Sequence, residues 1–467
     1  EVQGDVSLDA TIGIERAESL YEKIFVEYGD DSVAQLGGVH LACEQASNLL
    51  TKILEWGRLM SYLEQSTRYI SYDNRLGGRY RFYRDPEVLS GRFGTRYVGD
   101  MDRMFDSYSG LVETLTTHVR KVVPQGPKDS DFIYRQATRA KALDAVRGLL
   151  PASALSNVGI YGSGQAYEAL LLRMRANPLP EARLYADLML TELRKVVPSF
   201  LRRVDQPDRG GRWSQYLSDT SIDTKHVVHD LFATEEIQPE ESVVLSDFDP
   251  EGEDKLLAAI CYSHLALSES QIYKKVQGMS HDEKVRLIRA YVGDRTNRRH
   301  RPGRAFERTD YRFDVLSDYG AFRDMQRHRM LTIEWQPLTP NHGYVRPDIV
   351  DDASQTSAFD EVMERSADLY DALLPEYPTQ AAYAVSMAYR IRYVMQFNAR
   401  EAMHMLELRS SPQGHPAYRK VALDMHALIR DQAGHKAVAE AMIHMTTDVP
   451  ELERLESERR AEAKRNG

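Results

Sequence analysis

Three short strings recur in the same order in the two halves of this 467-residue chain. Gly29-Asp30 is answered by Gly293-Asp294. Arg58-Leu59-Met60-Ser61 is answered by Arg329-Met330-Leu331-Thr332. Arg173, which follows Ala169-Leu170-Leu171-Leu172, is answered by Arg409, which follows Met405-Leu406-Glu407-Leu408. Self-similarity in a fixed order is the signature of repeated architecture and restricts the fold more than composition does. The gaps between the strings differ, so insertions are needed. A tandem duplication explains the shared order; two unrelated α+β domains with chance matches are the other reading. The length by itself asks for two or three domains.

The expected organisation is a first copy over residues 1–210, a linker over 211–240 and a second copy over 241–467. The stretch from about Asp205 to Glu241 carries Asp-Gln-Pro-Asp-Arg-Gly-Gly and then Gln238-Pro239-Glu240-Glu241, and reads as loop and connector. Helix-like runs are expected near Ser32–Met60, Pro180–Val197, Asp254–Ser268, Ala358–Leu373 and Pro416–Met445, with β-like runs at Ser242–Asp247 and Tyr311–Leu316. The first copy opens without the strand that opens the second, and the chain starts at Glu1 rather than Met; the expectation is a truncated amino end. The stretch Glu451–Lys464 is almost wholly charged and reads as a solvated helix or frayed tail, not a site.

Hydrophobic residues make up 42% and charged residues 28% of the chain, enough for sizeable cores in an aqueous protein. No segment approaches the roughly 18 consecutive apolar residues of a membrane span, and no secretory signal is visible. A net charge of −10 gives no global case for nucleic-acid binding. Cys43 and Cys261 form no CxxC and no metal pattern, which reads as a reducing, cytoplasmic setting with no obvious nucleophilic thiol.

Four strings could carry chemistry. Gln326-Arg327-His328-Arg329-Met330-Leu331-Thr332 sets cationic or protonatable groups side by side. Arginine forks match phosphate oxygens, but a basic helix end complementing the helix dipole is as good a reading. Glu64-Gln65-Ser66-Thr67-Arg68-Tyr69 offers hydroxyl, cation and carboxylate for a phosphate-bearing polar ring; if helical, Glu64 and Arg68 are an ordinary ion pair one turn apart. Asn398-Ala399-Arg400-Glu401-Ala402-Met403-His404 runs on to Arg409 and His415. Asn398 offers the paired donor and acceptor that a pyrimidine or flavin edge needs, or the string is the polar face of a buried helix. Arg298-Arg299-His300-Arg301-Pro302-Gly303-Arg304 reads as an exposed basic loop, with binding to RNA or a phosphate conceivable.

Together these strings resemble the flavin-dependent thymidylate synthases, whose motif RHRxxSxNExSxRY is followed by an NAR…LR segment and a histidine. Arg327, His328 and Arg329 match RHR and Thr332 replaces its serine, but Glu334, Trp335, Pro337, Thr339 and Pro340 stand where Asn, Glu, Ser, Arg and Tyr belong. The first copy fails in reverse. Trp56 and Gly57 replace Arg and His and Leu63 replaces Asn, while Arg58, Ser61, Glu64, Ser66, Arg68 and Tyr69 match. Asn398, Arg400 and Arg409 match NAR…LR. Arg147, before Leu149-Leu150-Pro151, resembles a further phosphate-binding arginine.

The resemblance implies an α+β fold: two tandem copies of an antiparallel sheet flanked by helices. It implies conversion of dUMP to dTMP, with FAD as cofactor and NADPH and methylenetetrahydrofolate as co-substrates, and without an enzyme cysteine. Arg327, His328, Arg329, Asn398, Arg400, His404 and His415 are the implied cofactor residues. Arg58, Ser61, Glu64, Ser66, Arg68, Tyr69, Arg147, Arg173 and Arg409 are the implied substrate residues; no residue is singled out as catalytic and no metal is implied. The family's homotetramers imply a homo-oligomer here, with two fused chains rebuilding the tetramer. A divergent flavin- or nucleotide-binding paralogue, or an inert scaffold or RNA-binding protein, are the alternatives to an active synthase.

Overall fold

The structure is a computed structural model and describes residues 35, 37–127, 129–448, 452 and 454–466. The landmark Gly29-Asp30 lies outside the described residues. In chain order the elements that position the site are β1 (Gly38–Ser47), α1 (Asn48–Leu54), β2 (Met60–Glu64), α2 (Gly94–Val122), α3 (Asp131–Val146), β3 (Leu155–Ser163), α4 (Gly164–Ala176), α5 (Pro180–Leu193) and α6 (Gly210–Leu231). They continue with β4 (Val243–Phe248), α7 (Gly252–Tyr262), β5 (Asp310–Asp318), α8 (Tyr319–Met325), β6 (Thr332–Trp335), α9 (Thr356–Leu373), β7 (Arg390–Asn398), α10 (Ala399–Arg409), α11 (Pro416–Asp431) and α12 (Leu455–Asn466).

The chain divides into two compact units, and the division does not follow the repeats. Unit 1 holds residues 1–66 and 155–237; unit 2 holds residues 67–154 and 238–467. The middle of the first repeat therefore folds with the second.

Unit 1 is built on an antiparallel sheet in the order β1-β3-β2. Leu41 lies opposite Ile160 on one side of β3 and Leu63 opposite Gly159 on the other. A bulge between Cys43 and Ala46 coincides with Gln45 at φ 57°. Ser47 ends β1 and caps α1: its Oγ accepts from the Leu50 amide and donates to Glu181 of α5 at 2.5 Å. The helix expected over Ser32–Met60 is thus confined to Asn48–Leu54, and its amino end lies outside the described residues. Pairing with β3 holds Gly38–Ser47 extended, because a strand buried on one face draws on cross-strand partners as well as local preference. The loop expected around the linker also differs: Gly210–Leu231 is helical. The turn-forming residues stop at Gly211, and Arg212 to Leu231 contains neither Gly nor Pro to break a helix.

Unit 2 carries an antiparallel sheet in the order β4-β5-β7-β6. Its central strands alternate strictly. Tyr311, Phe313 and Val315 of β5 and Ile391, Tyr393, Met395 and Phe397 of β7 are buried, while Arg312, Asp314 and Gln396 point away. Phe313 and Phe397 stack with centroids 5.5 Å apart. Helix α2 repeats buried residues every three or four positions, from Tyr97 through Met101, Met104 and Tyr108 to Leu115, and lays that stripe inward. Arg365 of α9 bonds Asp100 of α2 at 3.3 Å. The run expected over Pro416–Met445 breaks after Asp431; Gly434 at φ +72° turns the chain where another residue would be strained. No helix among the described residues is long and apolar enough to cross a membrane.

Candidate active site

Two carboxylates, one buried and one partly buried, organise a cluster of guanidinium groups in unit 2. Asp144, on α3, takes a fork from Arg68 at 2.8 Å through both Nε and Nη2. Arg454, just before α12, reaches the same carboxylate at 2.8 and 2.9 Å and donates to the Arg68 carbonyl at 3.1 Å. Burial alone would raise the Asp144 carboxyl, but the guanidinium groups of Arg68 and Arg454 outweigh it and hold it down at about 2. Arg68 also donates to the Tyr418 hydroxyl at 2.6 Å and to the Gln413 carbonyl at 3.1 Å, so its planar fork is spent on protein acceptors.

Asp324, on α8, is the second centre. Arg147 donates to it at 3.2 Å, and Arg409 lies 3.6 Å away. Burial pushes the Asp324 carboxyl up, and Arg147, Arg327, Arg409 and Arg68 more than reverse that push, so it stays well below the usual range. Arg147 comes against the first turn of α8, where a side chain at Gly320 would sit 3.1 Å from its Nε and Nη2. Its Nη2 is buried and has no hydrogen-bond partner among the described residues. The Tyr418 ring has Arg68 and Arg409 at 5.6 and 5.3 Å from its centroid.

A third group adjoins Arg409. Its Nε donates to His328 Nε2 at 3.1 Å, and His328 Nδ1 lies 2.9 Å from Glu401 Oε1. Arginine can only donate, so Nε2 carries no proton, and the neutral ring donates from Nδ1 to Glu401. His404 lies beside it, ring centroids 5.5 Å apart, and its Nε2 is 3.3 Å from Arg301. Burial, and then Arg301 and its neighbours, lower His404 to about 4. His328, Glu401 and His404 have the atoms of a metal site within 4.8 Å of one another. However, an arginine already donates to each Nε2, and positive charge surrounds the group. That chemistry suits an anion.

Burial raises the Glu401 carboxyl to about 7, against the pull of Arg301, Arg400, Arg329 and Arg409. A raised carboxyl binds more protons folded than unfolded, so its contribution to stability declines as pH rises from about 4.5 to 7. Glu401→Gln is expected to remove this decline. Urea unfolding at pH 5 and pH 7 checks it; an unchanged difference between the two would reassign the proton.

The family comparison follows the repeats. The family model for "thymidylate synthase complementing protein" matches residues 3–199 and 243–433. The chain belongs to that family, the flavin-dependent thymidylate synthases. It is 37% identical over 427 residues to a UPF0159 protein of Chlamydia pneumoniae, covering 90% of this chain and 80% of that one. A UPF0159 protein of Chlamydia muridarum is 35% identical over 459 residues, covering 97% and 86%. UPF0159 protein Ta1429 of Thermoplasma acidophilum is 32% identical over 478 residues, covering 97% and 93%.

The synthase-family motif residues are distributed unevenly. Unit 2 brings together Arg68 and Arg147 of the first repeat with Arg327, His328, Arg409 and His415 of the second. Tyr69 is exposed, with Arg454 lying 4.2 Å from its ring centroid. Arg329 is exposed, and Arg400 donates to the Pro302 carbonyl at 2.9 Å. Asn398 caps α10 by accepting from the Glu401 amide at 3.0 Å. His415 caps α11 through the Ala417 amide, so its Nε2 carries the proton toward the Asp144 carbonyl at 3.1 Å. Arg58, Ser61, Glu64, Ser66 and Arg173 fall in unit 1. Glu64 and Arg68 are not a helical pair: Glu64 ends β2 and bonds buried Lys52 at 3.3 Å.

Sequence reasoning missed Asp144, Asp324, Glu401, Tyr418 and Arg454. Asp324 sits three residues before Arg327, and Glu401 lies inside the Asn398 string, so both were within reach. Asp144, between Leu143 and Ala145, carried a signal only as a charge in an apolar stretch. The charged tail gave no sign of Arg454, which is 5% exposed rather than solvated.

Proposed function

We propose that unit 2 carries a flavin-dependent thymidylate synthase site, which converts dUMP to dTMP with FAD, methylenetetrahydrofolate as carbon donor and NADPH as reductant. One observation carries the reading. Part of the motif that is divided between the repeats, Arg68 with Arg327 and His328, is gathered in one unit together with Arg147 and Arg409, around Asp144 and Asp324.

The residues fit a phosphorylated flavin and a nucleotide. Guanidinium groups outnumber carboxylates, the imidazoles are neutral donors and acceptors, and the buried Nη2 of Arg147 has no partner among the described residues. Arg147 and Arg409 would hold the nucleotide phosphate, and Arg327, His328, Arg400 and His404 would line the flavin side. The flavin, when bound, supplies hydride chemistry. Glu401 and Arg409 fix the tautomer and plane of His328, so that its ring meets the ligand in one orientation. Neither thiol is primed as a nucleophile: burial pushes Cys43 up to about 12 and raises Cys261 as well.

A changed reaction at the same site is the second reading, favoured by the commitment of Arg68 to Asp144, Tyr418 and Gln413. The visible absorption spectrum of freshly purified protein and dUMP- and folate-dependent NADPH oxidation test the proposal. A flavin band with that activity is expected. No flavin ends both readings; flavin with thermal protection by another nucleotide in preference to dUMP selects the second.

A further inference from the structure

Helix α6 carries a face that nothing else in the described chain covers. Its start is anchored: Gly210 and Ser214 are buried, and the Ser214 Oγ donates to the Leu172 carbonyl of α4 at 3.2 Å. From Asp219 to Leu231 every residue is exposed. Among the described residues, the α6 side chains beyond Ser214 hydrogen-bond only within the helix. Helix α12, which follows the second repeat as α6 follows the first, is held down instead. Arg459 donates to Asp129 at 2.7 Å, and the Ser130 Oγ donates to Glu462 at 2.6 Å.

The exposed face is patterned. Trp213, Tyr216, Thr220, Thr224, Val228 and Leu231 follow one another at steps of three or four and so form one stripe along the helix. Trp213, Tyr216, Val228 and Leu231 are 53%, 62%, 46% and 72% exposed. The steps are the same read from either end. Laid antiparallel on a copy of itself, the stripe sets Trp213 against Leu231, Tyr216 against Val228 and Thr220 against Thr224. Each aromatic ring then meets a smaller aliphatic side chain, whereas a parallel pair would set Trp213 against itself. Such self-complementarity is what an interface about a two-fold axis requires. Charge follows the same rule. Arg212 and Asp230 are about five turns apart, so they share one flank, and the reversal brings Arg212 of one copy beside Asp230 of the other at both ends. Covering the stripe on two copies removes on the order of 1,200 Å² from water, the lower edge of specific, stable interfaces.

We propose that α6 is a dimerisation surface whose occupant is α6 of a second copy of this chain, packed antiparallel about a two-fold axis at the level of Ile222. The helix lies outside both segments that the family model matches, 3–199 and 243–433, so this contact is not one that the matched repeats bring with them. It does not depend on the synthase reading of unit 2.

Sedimentation velocity on the full chain over a concentration series tests it. Val228→Glu with Leu231→Glu is expected to weaken self-association at least about tenfold, because it buries charge at the centre of the contact. Both positions are exposed, so the chain itself is expected to stay folded. Arg212→Asp alone is expected to weaken the association, and Arg212→Asp with Asp230→Arg to restore it. That restoration separates the helix pair from any other contact between chains, and from a general loss of fold. A parent chain that stays monomeric at high micromolar concentration leaves the face to a different partner and overturns the proposal. So does an association that Val228→Glu with Leu231→Glu leaves unchanged, or one that the charge exchange fails to restore.

Discussion

Asp144→Asn is expected to destabilise the protein by about 3–5 kcal/mol, the usual result of taking one partner from a buried charge cluster. Asparagine keeps the volume but leaves two guanidinium groups, Arg68 and Arg454, without their shared carboxylate. The sign with pH follows from the same group. Burial opposes ionisation of Asp144, the two arginines win, and its folded value falls to about 2 from an ordinary 3.8. The stability it supplies is therefore complete above about pH 4 and is lost as pH falls toward 2. Urea midpoints at pH 7 and pH 3 measure both effects. A midpoint for Asp144→Asn within error of the parent at pH 7 would mean that the cluster is neutralised some other way.

The second large effect is on binding. Arg409→Ala is expected to weaken dUMP by roughly 10- to 100-fold, from about 1.5–3 kcal/mol for a hydrogen bond to a charged group. Arg409 also holds His328 in one tautomer, so the variant frees that ring as well as removing a phosphate ligand. The fold is expected to survive, because Asp324 retains Arg147. Titration calorimetry with dUMP decides, and unchanged affinity would take Arg409 out of the site. Arg68→Ala is expected to behave differently. Its donors serve Asp144, Tyr418 and Gln413, so the loss falls first on stability.

Sequence patterning was legible where local physics decides. Strict alternation announced β5, and the helices Pro180–Leu193 and Thr356–Leu373 began and ended close to their expected bounds. It was not legible where distant pairing decides: β1 is a strand because β3 is its neighbour, more than a hundred residues away. The site divides in the same way. Arg147, Arg327, His328 and Arg409 stand in strings whose spacing carries meaning. Asp144 and Asp324 matter only because chain segments far apart in sequence meet at them. The strings also left open which motif residues would meet, since nothing in a linear pattern says that residues 67–154 fold with the second repeat while residues up to 66 do not.

That exchange bears on how such a gene could ever be taken apart. Fission at the boundary between the repeats would give a carboxy-terminal product with Asp324, His328 and Arg409 but without Arg68, Asp144 and Arg147. Neither product would inherit the whole cluster. A cut outside residues 67–154 and 238–467 is needed to keep it intact, and no single cut does that while separating the repeats. Each product alone would hold only part of the cluster, so both segments, 67–154 and 238–467, are needed to build it.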